Sequence, residues 1–94
     1  MRRISQHKDS NHDAITWEYQ RLGCLVVSLA VVGNGCPDLL VKELQTGRLA
    51  LVEVKSRRGK IKPAQEKFAR EWQTRIVRTA ADVVQHVQAL RLAV

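Results

Sequence analysis

The chain has 94 residues, a length typical of one small domain with a single hydrophobic core. Hydrophobic residues make up 45% and charged residues 27%, which argues against disorder, and no apolar run approaches the roughly 20 residues that span a bilayer. The formal net charge of +7 indicates a polyanionic partner, with nucleic acid as the first candidate and an anionic membrane surface as the second.

The first half of the chain predicts one helix followed by three strands. Ser10 and Asp13 have the S-x-x-D spacing of a helix start, with Ser10 as the N-cap, and Gly23 ends the helix. Apolar, β-branched segments separated by turn residues predict strands over residues 24–30, 37–43 and 48–55. The first of these strands is mainly β-branched and apolar, so we expect it to be buried.

The second half predicts a helix, a short strand and a last helix. Pro63 suits the first turn of a helix, residues 75–78 predict the fourth strand, and Thr79 begins the last helix. The expected apolar faces are Phe68, Ala69 and Trp72 on the first of these helices and Ala80, Val83, Val84, Val87 and Leu90 on the other. The order α-β-β-β-α-β-α indicates an α/β fold with a central four-stranded mixed sheet flanked by helices.

The end of the third strand carries two charged side chains. Glu53 and Lys55 are two residues apart, so the alternation of a strand places them on one face. Half-buried charges need partners, and a divalent cation would serve Glu53 while a phosphate or water would serve Lys55. A hairpin would bring Asp38 beside Glu53, and two converging carboxylates favour Mg²⁺ or Mn²⁺. The alternative is a salt bridge between Glu53 and Lys55, with Asp38 capping a turn.

Three segments together carry a resemblance to a known family. They are residues 35–41 (GCPDLLV), 51–55 (LVEVK) and 60–65 (KIKPAQ). In combination they resemble the VRR-NUC domain, the virus-type replication-repair branch of the PD-(D/E)XK nucleases, which includes stand-alone phage and bacterial proteins. The resemblance runs from residue 9 to about residue 90, so we expect a single VRR-NUC-like domain over residues 1–94 with the PD-(D/E)XK fold.

The resemblance implies a metal-dependent phosphodiesterase. Asp38, Glu53 and the carbonyl of Val54 would hold Mg²⁺ or Mn²⁺. Lys55 would orient the attacking water and neutralise charge on the scissile phosphate. Gln65 matches a glutamine on the family's helix, and its helical face predicts that it points inward. A buried glutamine bonded only to backbone is the alternative for this residue.

The first helix departs from the family pattern. PD-(D/E)XK nucleases commonly carry a glutamate there that faces the metal, and phage VRR-NUC proteins usually carry it where this chain has Ala14. Asn11 and His12 resemble the N-H pair of those phage proteins. His12 is therefore the candidate that binds the metal or its water, with Glu18 or no residue as alternatives. A histidine bonded to backbone is the structural alternative.

A basic loop follows the third strand, and the resemblance suggests how the protein acts on DNA. The loop residues expected to contact DNA phosphates are Arg57, Arg58, Lys60 and Lys62. Similarity to stand-alone members implies an endonuclease that acts on Holliday junctions or other branched DNA as a homodimer. Trp17, Leu92 and Val94 are candidate dimer anchors. A nucleic-acid-binding module with weakened catalysis, or restriction-like cleavage at a sequence, remain alternatives.

Location and the remaining polar residues give weaker signals. No apolar stretch follows Arg2 and Arg3, so no secretory signal is expected. Cys24 and Cys36 form no CxxC pattern and are expected to be reduced thiols. With the resemblance, these features predict the cytoplasm of a bacterial or phage-infected cell. His86 is expected to be solvated.

Overall fold

The computed structural model describes residues 11–92, and within them three helices flank one four-stranded sheet. The elements are α1 (His12–Arg21), β1 (Cys24–Ser28), β2 (Leu39–Glu43), β3 (Leu49–Val54), α2 (Pro63–Trp72), β4 (Arg75–Val77) and α3 (Ala80–Leu92). The predicted α/β order and mixed sheet are confirmed. The predicted N-cap Ser10 and the candidate anchor Val94 lie outside the described residues. No helix in the described range is long and apolar enough to cross a bilayer.

The sheet topology brings the ends of β2 and β3 together. The strand order is β1-β2-β3-β4, with β1–β2 and β2–β3 antiparallel and β3–β4 parallel. The helix α2 lies in the crossover that a parallel pair requires. Leu39 pairs with Val52. Asp38, just before Leu39, and Glu53, just after Val52, therefore meet at the same end of the two strands.

The hydrophobic core lies between the sheet and the helices α1 and α3. The helix α1 contacts α3 and β1, while α3 also contacts β2 and β4. The buried apolar side chains are Ile15, Tyr19, Cys24, Leu39, Val41, Val52, Val54, Val77, Val83 and Val87. Burial stabilises by roughly 1.5–3 kcal/mol for each large aliphatic side chain. The alternate strand residues, including Glu53, face the opposite side of the sheet.

Several expectations about burial are wrong. The strand β1 is an edge strand with one covered face, so Leu25 and Val27 are each 55% exposed. The helix α2 contributes no buried residue, and Trp72 is 61% exposed and stacks on Phe68 with ring centroids 5.7 Å apart. In α3, Val83 and Val87 are buried as predicted, whereas Ala80 is exposed. Whether a residue is buried depends on which sheet face a helix covers, and local periodicity does not specify this.

A buried carboxylate ties the turn between β2 and β3 to the end of α3. Glu43 accepts hydrogen bonds from the Thr46 amide at 2.9 Å, the Gln45 amide at 3.1 Å and the Arg91 Nε at 2.8 Å. Arg91 also donates to the Leu22 carbonyl beyond α1. Burial alone would raise the pKa of Glu43, but the hydrogen bonds from Arg91, Thr46 and Gln45 hold that pKa at about 2.

The expectation that His86 is solvated is wrong, because His86 packs against Tyr19 in the core. The Tyr19 hydroxyl lies 2.7 Å from Nδ1 of His86, and the two rings meet edge to face at 5.8 Å. Burial, assisted by the charge of Arg75, lowers the pKa of His86 to about 4, while burial raises the pKa of Tyr19. The hydroxyl therefore donates, and the neutral imidazole accepts at Nδ1.

We expect acid to destabilise the fold between pH 6.5 and pH 4, because unfolded His86 binds a proton that the folded protein excludes down to about pH 4. One excluded proton lowers the free energy of unfolding by up to about 1.4 kcal/mol per pH unit. Urea unfolding at a series of pH values measures this slope. His86→Gln removes the titrating group and should give a shallower slope. Equal slopes in the two proteins would assign the acid sensitivity to other groups.

Candidate functional site

The end of β3 carries a nearly buried pair of opposite charges. The side chains of Lys55 and Glu53 are 9% and 5% exposed, and Nζ lies 3.7 Å from Oε2. The Lys55 amide donates to the Val77 carbonyl at 3.0 Å, which extends the pairing of β3 with β4. Among residues 11–92 the Lys55 ammonium makes no hydrogen bond, since 3.7 Å is too long for one. Its donors are therefore available to a ligand.

The amide of Gln65 connects Glu53 to the start of α2. Nε2 of Gln65 donates to Oε2 of Glu53 at 2.8 Å, and Oε1 accepts from the Lys62 amide at 3.0 Å. The second bond closes the first turn of α2, which Pro63 begins. Because the amide is held at both ends, its donor side faces the carboxylate. Gln65 thus points inward, bonded both to backbone and to Glu53.

Asp38 bridges the strands on either side of it. Oδ2 of its half-buried side chain accepts from the Val54 amide at 2.8 Å, and its carbonyl accepts from the Leu29 amide at 2.6 Å. The preceding Pro37 is fully buried. The Asp38 carboxylate therefore lies at the end of β3, beside Glu53.

A glycine allows the loop before Asp38 to pack on α2. Gly35 has φ +80°, and a Cβ there would lie 2.7 Å from the carbonyl oxygen of Ala64. A residue with a side chain would therefore clash with backbone as well as adopt a strained conformation. Burial raises the pKa of the Cys36 thiol, and the charges of Asp38 and Glu53 raise that pKa further. The loop thus forms one wall of the site.

At the start of α1, His12 is buried with unused hydrogen-bonding capacity. The residue is 4% exposed, and neither ring nitrogen makes a hydrogen bond within the described residues. Nδ1 lies 3.5 Å from Oδ1 of the exposed Asp13. Glu18, the alternative candidate, accepts two hydrogen bonds from Arg21, at 2.8 and 3.2 Å. Ala14 is exposed.

The predicted ligand set suits a hard divalent cation. Asp38, Glu53 and Val54 would supply two carboxylates and a carbonyl, which are the oxygen ligands that Mg²⁺ and Mn²⁺ prefer. Within the described part of the chain, no three His, Cys, Asp or Glu side chains are grouped closely enough to hold a metal. His12 is thus not assembled with both carboxylates into such a group, although its unbonded ring nitrogens leave it able to bind a ligand.

The basic loop lies against the lysine of the site. A Cβ on Gly59 would lie 3.4 Å from Cδ of Lys55, and the Gly59 amide donates to the Ser56 carbonyl at 3.1 Å, which closes a turn. The exposed residues of this loop are Arg57, Arg58, Lys60 and Lys62. The four cationic residues therefore lie exposed on the segment that follows β3.

Two further residues, which the sequence patterns do not single out as site residues, form hydrogen bonds to the backbone after β3. Nη1 of Arg78 donates to the carbonyls of Ser56 at 2.7 Å and Gly59 at 2.8 Å. Nδ2 of Asn11 donates to the carbonyls of Lys55 at 3.1 Å and Arg78 at 2.9 Å. Asn11 is marked in the sequence only by its pairing with His12. Arg78 is marked only by its place between a strand and a helix start.

Comparison with known proteins identifies the domain. The family model described as the VRR-NUC domain matches residues 8–86, which include every element that forms the site. No curated protein and no solved structure shows a significant match to the chain. The match implies a nuclease-type function with DNA as the substrate, and the family is typically metal-dependent. The match covers most of the chain, which therefore belongs to the VRR-NUC family.

Proposed function

We propose that this protein is a Mg²⁺- or Mn²⁺-dependent endonuclease that hydrolyses phosphodiester bonds in branched DNA such as Holliday junctions. The observation that carries the proposal is the nearly buried ammonium of Lys55, 3.7 Å from Glu53 and without a hydrogen bond among residues 11–92. A buried ion pair that served only stability should have good geometry and saturated donors. The donors of Lys55 instead suit a phosphate oxygen or a water molecule.

The residues divide between holding a cation and directing the reaction. Asp38, Glu53 and the Val54 carbonyl would hold the metal, whose Lewis acidity acidifies water and stabilises charge on a phosphate. Lys55 would orient the attacking water and neutralise developing charge on the scissile phosphate. Gln65 would act on the reaction through Glu53, because its 2.8 Å hydrogen bond fixes the orientation of that carboxylate.

The basic loop supports binding to DNA by shape rather than by sequence. The cationic side chains of Arg57, Arg58, Lys60 and Lys62 are exposed beside the site. Contacts of Lys and Arg with phosphates position a protein on DNA but carry little sequence information. Resemblance to stand-alone family members favours branched DNA among the possible structures.

We further propose that the active form is a homodimer in the cytoplasm of a bacterial or phage-infected cell. Two sites would be needed to cut both strands of a two-fold symmetric junction, and a symmetric dimer supplies them. Large apolar side chains exposed on the described surface support an interface. Trp17 is 58% exposed and Leu92 is 78% exposed, and Leu25, Val27 and Leu49 give the outer sheet face a second apolar area.

Asp38→Asn should abolish metal-dependent cleavage of a labelled four-way junction and leave the fold intact. The Asn carbonyl can still accept from the Val54 amide, but it is a poor ligand for a hard cation. Even residues that only support a metal ligand contribute about 10- to 100-fold to activity, so the loss should exceed about a hundredfold. Glu53→Gln should have the same effect.

Glu66→Gln is the matched control, because the Glu66 side chain is 68% exposed on α2 and should be dispensable. Cleavage by the wild type in EDTA, or by Asp38→Asn at the wild-type rate, would refute the assignment.

His12 is proposed as the first-helix residue that serves the metal or its water, since its ring nitrogens are buried and make no hydrogen bond within the described residues. His12→Ala should lower kcat by about 10- to 100-fold with a smaller effect on thermal stability. His12→Glu should recover much of the activity. Glu18→Gln should remain active, because Glu18 pairs with Arg21. Full activity in His12→Ala with loss in Glu18→Gln would transfer the role to Glu18.

Two observations favour a second candidate function, a nucleic-acid-binding module with weakened catalysis. No glutamate occupies the position of Ala14, and the described residues hold no group of three metal-binding side chains. Such a module would bind branched DNA through the basic loop and cleave it slowly or not at all. Junction binding without cleavage in the presence of Mg²⁺ or Mn²⁺ would support this second function.

A further inference from the structure

The turn that follows Lys55 is held by a side chain from the end of β4. Nη1 of Arg78 donates to the carbonyls of Ser56 and Gly59 at 2.7 and 2.8 Å. The same Nη1 lies 3.4 Å from the carbonyl oxygen of Arg57. All three acceptors are backbone carbonyls of one turn. The guanidinium therefore sits inside the turn and fixes its shape, and it carries its charge among the exposed cations of the loop.

The backbone of Arg78 is itself fixed on both sides. Its amide donates to Oδ2 of Asp82 at 2.8 Å in the first turn of α3. The carbonyl of Arg78 accepts from Nδ2 of Asn11 at 2.9 Å. The same Nδ2 also donates to the carbonyl of Lys55 at 3.1 Å. Asn11 thus ties together the chain segments that leave β3 and β4. The Arg78 side chain consequently starts from a fixed point relative to Lys55.

The turn is in contact with the lysine of the site. A Cβ on Gly59 would lie 3.4 Å from Cδ of Lys55 and 3.0 Å from Oγ of Ser56, so the glycine backbone packs closely over the stem of the lysine. The Lys55 ammonium makes no hydrogen bond within the described residues that would fix it. The packing of the turn is therefore one of the restraints on where this ammonium lies.

We propose that Arg78 is a positioning residue of the nuclease site. By holding the carbonyls of Ser56 and Gly59, it keeps the turn on the stem of Lys55 and directs Arg57 and Arg58 outward beside the cleavage site. The inference rests on the proposed function, because it assigns Lys55 a role in the reaction. A group held in position before substrate binds loses less conformational freedom in the reaction, and small misplacements of such groups are costly.

The test compares variants of Arg78, which change the hydrogen bonds to the turn, with a variant of Gly59, which changes the packing of the turn on Lys55. Arg78→Met removes the donors, Arg78→Lys keeps a charged donor, and Gly59→Ala presses on Ser56 and Lys55 without a change of charge. Arg75→Met is the matched control, since the exposed Arg75 lies on β4 and the variant loses the same charge. For each protein, kcat and KM are measured on a labelled four-way junction with Mg²⁺. Amide hydrogen exchange at residues 56–59 is measured without DNA.

Arg78→Met should accelerate exchange in the turn and lower kcat at saturating DNA by about tenfold, the effect of losing hydrogen bonds to a charged group. Arg78→Lys should restore most of kcat, Gly59→Ala should lower it, and Arg75→Met should leave both kcat and exchange unchanged. A purely structural role would accelerate exchange without a change in kcat. A simple phosphate contact would raise KM alone.

Unchanged exchange or unchanged kcat in Arg78→Met would each overturn the inference. If Arg78→Met does not fold, Gly59→Ala decides, and wild-type kcat in that variant overturns it. Failure of the proposed function would look different. A wild type that cleaves no DNA removes the reaction and the inference together, whereas active wild type with active Arg78→Met removes the inference alone.

Discussion

The nearly buried charges of Glu53 and Lys55 are the constraint on which the arrangement around the end of β3 depends. Removing both groups from water costs free energy that a 3.7 Å contact returns only in part. The surrounding chain supplies further contacts. Gln65 donates a hydrogen bond to Glu53, and Asp38 accepts one from the adjacent Val54 amide. The turn at residues 56–59 packs on Lys55. These contacts hold the pair in a geometry that leaves the ammonium able to bind a ligand.

The apolar core and the carboxylate of Glu53, a proposed metal ligand, occupy opposite faces of the sheet. The face covered by α1 and α3 holds the apolar core and the buried Tyr19–His86 pair. The other face carries Glu53 and is approached by α2, which has no buried residue of its own. The helix α2 therefore owes its contact with the sheet to polar bonds such as that of Gln65 and to the close approach of Gly35, rather than to a large apolar interface. Changes to Glu53 or Gln65 should thus disturb the core little.

Local periodicity was enough to predict which faces of the strands and helices carry much of the candidate site. It was not enough to predict contacts between residues that are distant in the sequence. Strand alternation correctly placed Glu53 and Lys55 on one face, the hairpin brought Asp38 to the same end, and the helical period turned Gln65 inward. The burial of His86 depends on Tyr19, which is distant in the sequence. The exposure of Leu25 depends on which face of the sheet is left uncovered. The hydrogen bonds from Arg78 to the carbonyls of Ser56 and Gly59 depend on the backbone path of residues 56–59. Amino-acid composition does not specify that path.

Asp38 and Glu53 are proposed to bind a divalent cation, and calorimetric titration of Mn²⁺ into the protein measures that binding. We predict saturable binding to the wild type and to Glu66→Gln, and no detectable binding to Asp38→Asn at the same concentrations. The comparison is matched, because Asp38→Asn and Glu66→Gln make the same chemical change at half-buried and exposed carboxylates respectively. Absence of binding to the wild type, or equal binding by Asp38→Asn, would rule out this cation site.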